Sequence, residues 1–201
     1  HLHLDCSLSF EVARQIKPEL SREDYETNFV APPKCTDLAD YLTRAVKGFE
    51  LMQTREQLHL VTLDLFKQLK ADNVIYAEIR FAPLLHTSEG LSPEEVVDTV
   101  LEASLKGIEN HGVEARLILC TLRRFNEEQS LQTAKLVYNY RGTLVTGMDI
   151  AGDEAGYPID AHLKAFNYAR ENGIKCTAHA GEACGAKSVW QTIRQFYPLR
   201  I

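Results

Sequence analysis

Two hydrophobic periods take turns along this chain, and that alternation limits its fold more than any other feature. His1-Leu2-His3-Leu4-Asp5 alternates polar and apolar residues, as the tail of a strand does. Residues 74–81 read as a second strand. Residues 115–120 read as a third, near-continuous in apolar side chains as expected of a parallel strand buried on both faces. Residues 143–149 and 175–179 make the fourth and fifth. Helices separate them. Thr54 and Gln57 form a capping box ahead of the stripe Leu58, Val61, Leu65 and Leu69. Ser92-Pro93-Glu94-Glu95 opens a second helix, with Val97, Val100, Leu101, Leu105 and Ile108 at helical spacing and Gly112 as its stop. Residues 160–172, closed by Gly173, and residues 185–196 supply two more.

Strand and helix in alternation, with parallel-type strands, mean an α/β fold. A doubly wound sheet wants a glycine-rich phosphate turn after an early strand, and none is present. A β/α barrel instead gathers its chemistry at the C-terminal ends of its strands. The polar residues His3, Asp5, Asp149 and His179 stand at those ends. The pattern therefore predicts a TIM-type (β/α)8 barrel. With 201 residues the chain is shorter than the roughly 250 usual for that fold. It holds the first five to six β/α units, with residues 199–201 starting a sixth strand. Residues 9–51 are too long for a simple connection and predict extra helices over the barrel mouth. The expected layout is one incomplete barrel over 1–201, with a helical insertion or lid region at 9–71. The chain opens on His1 rather than Met and ends without a closing element, so it reads as a window cut from a longer protein.

Charge and cysteine usage exclude several classes. Lys and Arg total 22 against 28 Asp and Glu, a formal net charge of −6, and no basic cluster offers a footprint for nucleic acid. No apolar run approaches the roughly 18 residues of a membrane span, and no signal peptide opens the chain. Neither a nucleic acid nor a membrane is expected as a partner. The five cysteines, Cys6, Cys35, Cys120, Cys176 and Cys184, are odd in number and lack C-x-x-C spacing. That argues against a disulfide framework or a thiolate zinc site, and fits a cytoplasmic protein. Most read as small apolar fillers in strands.

Three histidines carry the chemical argument. His1 and His3 lie two apart in a strand, so both imidazoles point to one face and can grip one cation. His-x-His alone is equally a pair of polar residues on a solvated face. His179 ends the fifth strand, where it could supply a third nitrogen at the same mouth. Glu182 follows in the next loop, within reach of a substrate. Its plainer role is a carboxylate favoured at a helix N-terminus. His59, His86, His111 and His162 read as background.

Four stretches together resemble the adenosine deaminase family of metal-dependent amidohydrolases. They are His1-Leu2-His3-Leu4-Asp5, Tyr76-Ala77-Glu78-Ile79-Arg80-Phe81-Ala82-Pro83, Gly147-Met148-Asp149-Ile150-Ala151-Gly152-Asp153-Glu154 and His179-Ala180-Gly181-Glu182. The resemblance covers nearly the whole chain. It implies a hydrolase of purine and nucleotide metabolism whose partner is a small purine nucleoside. Adenosine or deoxyadenosine and water would become inosine or deoxyinosine and ammonia. It further implies one zinc ion per subunit, held by His1, His3 and His179, with the family's carboxylate ligand on the eighth strand absent here. Zinc-bound hydroxide, formed because the metal lowers its water's pKa to about 7, would attack purine C6. Glu182 would give a proton to ring N1, a task for a shielded carboxyl. The Gly152 backbone would bond ring N3, and Asp5, beside His3, the ribose hydroxyl. Leu38, Tyr41 and Leu42 would line a hydrophobic lid.

The resemblance also separates relatives. Adenine deaminases of the family tend to carry Glu at the position of Asp5, and the methylated-AMP branch Asn. The fourth strand ends in Asp149 rather than a lysine, which favours one metal over a binuclear site. Two departures stand out: Cys6 replaces the usual Gly and reads as a small buried side chain, and Ala45 replaces a lid aromatic. Two other functional readings stay open. One is a deaminase of adenine, AMP or an N6-modified nucleotide. The other is a catalytically incomplete fragment with only binding activity, since a 201-residue piece is expected to be inactive alone.

Overall fold

A computed structural model describes residues 2–201. The chain divides into two compact units, one of residues up to 35 with 43–117, the other of residues 36–42 with 118–201. Five strands form one sheet in the order β1-β2-β3-β4-β5, which is simple chain order. A doubly wound sheet reverses its strand order at a switch point, and this one does not.

In the first unit β1 (Leu2–His3) pairs in parallel with β2 (Tyr76–Phe81), placing His3 opposite Arg80. The strand is shorter than the alternation predicts, because Leu4–Cys6 turns into a 3-10 helix. The Ser7 N–H bonds the Leu4 carbonyl at 3.1 Å, and its hydroxyl bonds the His3 carbonyl at 2.5 Å. Asp5 therefore lies on a tight turn, not on the strand. Between β1 and β2 come α1 (Phe10–Ile16), α2 (Arg22–Asn28), α3 (Leu38–Phe49) and α4 (Arg55–Ala71). The Thr54–Gln57 capping box opens α4 as expected.

The helix α5 (Pro93–His111) starts at the Ser92–Glu95 capping box and stops at Gly112, whose φ is +67°. It packs on α4 through the first part of the predicted stripe, Val97 and Val100, but not through Leu105. Val96, Val97, Val100 and Ala103 are fully buried, whereas Leu105 is exposed. Small residues decide this. A Cβ on Gly107 would lie 2.4 Å from the Phe66 ring, so the two helices meet where α5 has no side chain.

Then β3 (Glu114–Leu122) begins with the Glu114 N–H on the Ile75 carbonyl and ends with the Arg123 N–H on the Ala151 carbonyl. In the second unit, α6 (Glu127–Asn139) leads to β4 (Val145–Ala151) and has no counterpart among the helices read from sequence. A 3-10 turn at Asp160–His162 precedes α7 (Leu163–Glu171), which falls short of the predicted helix by three residues at its start and one at its end. Next, β5 (Lys175–Cys176) pairs in parallel with β4, and α8 (Gly185–Phe196) follows. Phe196 stacks on Phe166 at 3.8 Å between ring centroids, tying α8 to α7. Arg200 bridges in parallel to Thr177, as the start of a further strand would. Only Cys120 and Cys176 are buried strand cysteines; Cys6 and Cys184 are exposed and Cys35 is half-buried. The turn at Leu4–Cys6 directs Cys6 outward, against its predicted burial. Among the described residues no helix is long and apolar enough to cross a membrane.

Candidate active site

Parallel pairing with β4 carries on past the end of β5 and delivers His179. Its N–H donates to the Ile150 carbonyl at 3.0 Å. Its imidazole Nδ1 lies 3.0 Å from Asp149 Oδ2, with both side chains almost wholly buried. A carboxylate only accepts, so Nδ1 carries the proton and the ring is oriented by Asp149. That is how proteins orient a metal-ligating histidine. Asp149 is itself held, accepting from the Ile150 N–H at 2.9 Å, with Cys120 Sγ 3.9 Å away. Burial, then the Asp149 charge, pushes the Cys176 thiol up to about 12, so it stays protonated.

The loop after His179 is built around glycine. Gly181 has φ +87°, and a Cβ there would strike Val189 at 2.7 Å. Glu182, at the tip, is exposed rather than shielded. Gly152, just beyond β4, has φ +102°, a conformation that side chains disfavour.

Two residues that sequence reasoning missed brace this loop. Glu154 accepts from the N–H groups of Gly181 at 2.7 Å, Ala183 at 2.6 Å and Cys184 at 2.9 Å, and from the Ser188 hydroxyl at 2.5 Å. Burial works to raise its pKa, but the Ser188 hydroxyl and the Ala183, Gly181 and Cys184 amides outweigh it and hold the carboxyl down at about 2. Arg123 lies 3.6 Å from Glu154 and donates to the His179 carbonyl at 3.0 Å. The only sequence signal was an acid two residues beyond Gly152.

In the first unit, His3 is half-buried on β1, and His1 lies outside the described residues. Asp5 is buried, accepting from the Ala82 N–H at 3.1 Å and His86 Nε2 at 2.7 Å. His86, read from sequence as background, is thus a structural partner of Asp5. On α3, in the part that belongs to the second unit, Leu38 and Leu42 are half-buried and Tyr41 is 46% exposed. So the structure gathers Gly152, His179 and Glu182 in one unit, and His3 with Asp5 in the other. Among the described residues no group of three or more His, Cys, Asp or Glu side chains forms a metal cluster. The buried, carboxylate-oriented His179 nevertheless has the donor chemistry that zinc takes.

The sequence model of one family, Adenosine deaminase, matches residues 1–201. The chain belongs to the adenosine deaminase family. It is 35% identical to an adenosine deaminase of Clostridium acetobutylicum over 208 residues, covering 100% of the chain and 62% of that enzyme. It is 37% identical to one of Mycobacterium leprae, covering 96% of the chain and 56% of the relative. The chain thus spans about 62% or less of these relatives' length. Among solved structures, it resembles an adenine deaminase of Arthrobacter aurescens with a TM-score of 0.83 and 25% identity, covering 100% of the chain and 62% of that protein. A zinc-bound amidohydrolase of Burkholderia ambifaria matches with a TM-score of 0.86 at 20% identity, over 98% of the chain and 56% of that structure, a likeness of fold. The five-stranded parallel sheet with its alternating helices is part of a (β/α)8 barrel.

Proposed function

We propose that this chain supplies the purine site and most of the metal shell of a cytoplasmic, zinc-dependent adenosine deaminase acting in purine salvage. The observation that carries the reading is the Asp149–His179 contact, which orients a histidine at a strand end three residues ahead of an exposed carboxylate. Membership of the family supports it. His1, His3 and His179 would hold the zinc, with a carboxylate from outside these residues. A bound zinc would supply a water that ionises near pH 7.

The chain's own residues handle the purine. The Glu182 carboxyl gives a proton to ring N1, which drains electron density from C6. Water then adds at C6, and the exocyclic nitrogen leaves as ammonia, giving inosine. The Gly152 N–H bonds ring N3, where a positive φ and no side chain allow close approach. Asp5 takes the ribose hydroxyl, which selects adenosine or deoxyadenosine over the free base. Leu38, Tyr41 and Leu42 cover the ring.

The test is loss of adenosine absorbance by the intact protein and by Glu182→Gln, with zinc content measured in both. Turnover in the wild type, and its loss by at least about 100-fold in the variant with zinc retained, is the expected result. Equal turnover in both sinks the proton-donor role. If adenine or AMP replaces adenosine as the better substrate, the assignment moves to that branch.

A further inference from the structure

The Glu154–Arg123 pair is costly by ordinary standards. Both side chains are about 2% exposed, their charged atoms are 3.6 Å apart, and Arg123 Nε has no partner among the described residues. A buried ion pair of this kind is often no more stabilising than apolar residues of the same volume. Stability alone therefore does not explain it. What the pair does hold is one short segment. Arg123 grips the carbonyl of His179, and Glu154 grips the amides of Gly181, Ala183 and Cys184 and the hydroxyl of Ser188. The residue between the gripped amides is Glu182, whose side chain is exposed.

We infer that Glu154, backed by Arg123, is a positioning residue that fixes the backbone on either side of Glu182 and so sets where its carboxyl meets the purine. This rests on the reading of Glu182 as the proton donor. Loosening these backbone anchors lets the loop tip shift by about an ångström. A misplacement of that size costs about 100-fold in rate. Glu154 itself makes no bond to His179, which Asp149 and the Ile150 carbonyl also hold, so metal binding survives the loss of Glu154.

Two variants of the intact protein test this. Glu154→Gln keeps the shape but places an amide group against backbone N–H donors and leaves Arg123 without its counter-charge. Ser188→Ala deletes one bond and keeps the charge. The expected result for Glu154→Gln is a fall in kcat of about 100-fold with KM and zinc content little changed. Hydrogen exchange should quicken at Gly181, Ala183 and Cys184 while the β3 amides stay protected. Ser188→Ala should shift both readouts the same way, by less, and decides the matter if Glu154→Gln does not fold. Unchanged exchange at the three amides, or a wild-type kcat in the variant, overturns the inference. A wild type that binds zinc but leaves adenosine untouched defeats the functional reading instead. The exchange pattern then still decides whether the clamp orders the loop.

Discussion

His86 Nε2 lies 2.7 Å from Asp5 Oδ1, and the histidine side chain has no exposed surface. The other ring nitrogen, Nδ1, donates to the Met52 carbonyl at 2.9 Å. Asp5 Oδ2 takes the Ala82 N–H. Two segments distant in sequence, one at Met52 and one at Ala82–His86, are thus pinned to the turn that follows β1. A carboxylate has about four acceptor positions, so these two bonds leave Asp5 able to take a ribose hydroxyl as well.

Replacing His86 by Phe fills the volume but leaves Asp5 buried without its partner. The expected loss is about 3 kcal/mol, read from urea unfolding of the intact protein. Asp5→Asn, whose amide can still bond both neighbours, should cost less. Equal stability in His86→Phe and wild type would show that the pair contributes nothing.

The Asp149–His179 contact makes a prediction about metal rather than stability. Asparagine at 149 can still accept from Nδ1 but carries no charge, so His179 becomes a poorer ligand. Zinc affinity should drop about 10- to 100-fold in Asp149→Asn, measured by competition with a chromogenic chelator. Saturating zinc should then restore most of the turnover. Undiminished affinity would remove His179 from the metal shell.

Local signals in the sequence were readable, and long-range ones were not. The boxes at Thr54–Gln57 and Ser92–Glu95 and the stop at Gly112 lie where expected because each is settled by residues three or four apart. The Asn126–Gln129 box, which opens α6, was written in the same language. The strand-end residues of the barrel pattern were legible through alternation and family motifs. His86 was not, since its partner is 81 positions away. Glu154 was hidden for another reason: three of its partners are backbone amides, which leave no mark in side-chain identity. The stripe on α5 holds at Val97 and Val100 and fails at Leu105, because the helices meet closely at Gly107. Gly107, rather than Leu105, marks the buried face.

Acid should weaken the fold in two windows. His162 is buried, with Nδ1 on the Ser130 hydroxyl and Nε2 on the Arg123 carbonyl, and burial lowers its pKa below the usual 6.5. The unfolded chain therefore binds the proton first. That stability is complete above pH 6.5 and declines as pH falls below it. Glu154 acts lower. Its pKa of about 2, against 4.5 in the unfolded chain, contributes about 3 kcal/mol above that range, lost as pH falls from 4.5 through 2. Melting temperatures between pH 7 and 3 should show a first decline that His162→Asn flattens and a second that Glu154→Gln flattens. A variant that keeps its wild-type slope would clear that residue.

Gly107 sets two effects of opposite sign against each other. Alanine in a helix interior is better than glycine by about 1 kcal/mol, which favours Gly107→Ala. The new Cβ, however, would lie 2.4 Å from Phe66 Cγ and Cδ2. Phe66 is fully buried, so its ring has nowhere to retreat without shifting α4. Overpacking of that kind costs about 1–3 kcal/mol, so the net change should be destabilising. Phe66→Leu makes room and should reverse the sign of the alanine effect, a coupling that a double-mutant cycle in urea unfolding measures directly. If Gly107→Ala stabilises the protein in both backgrounds, the helices are held apart by something other than this contact.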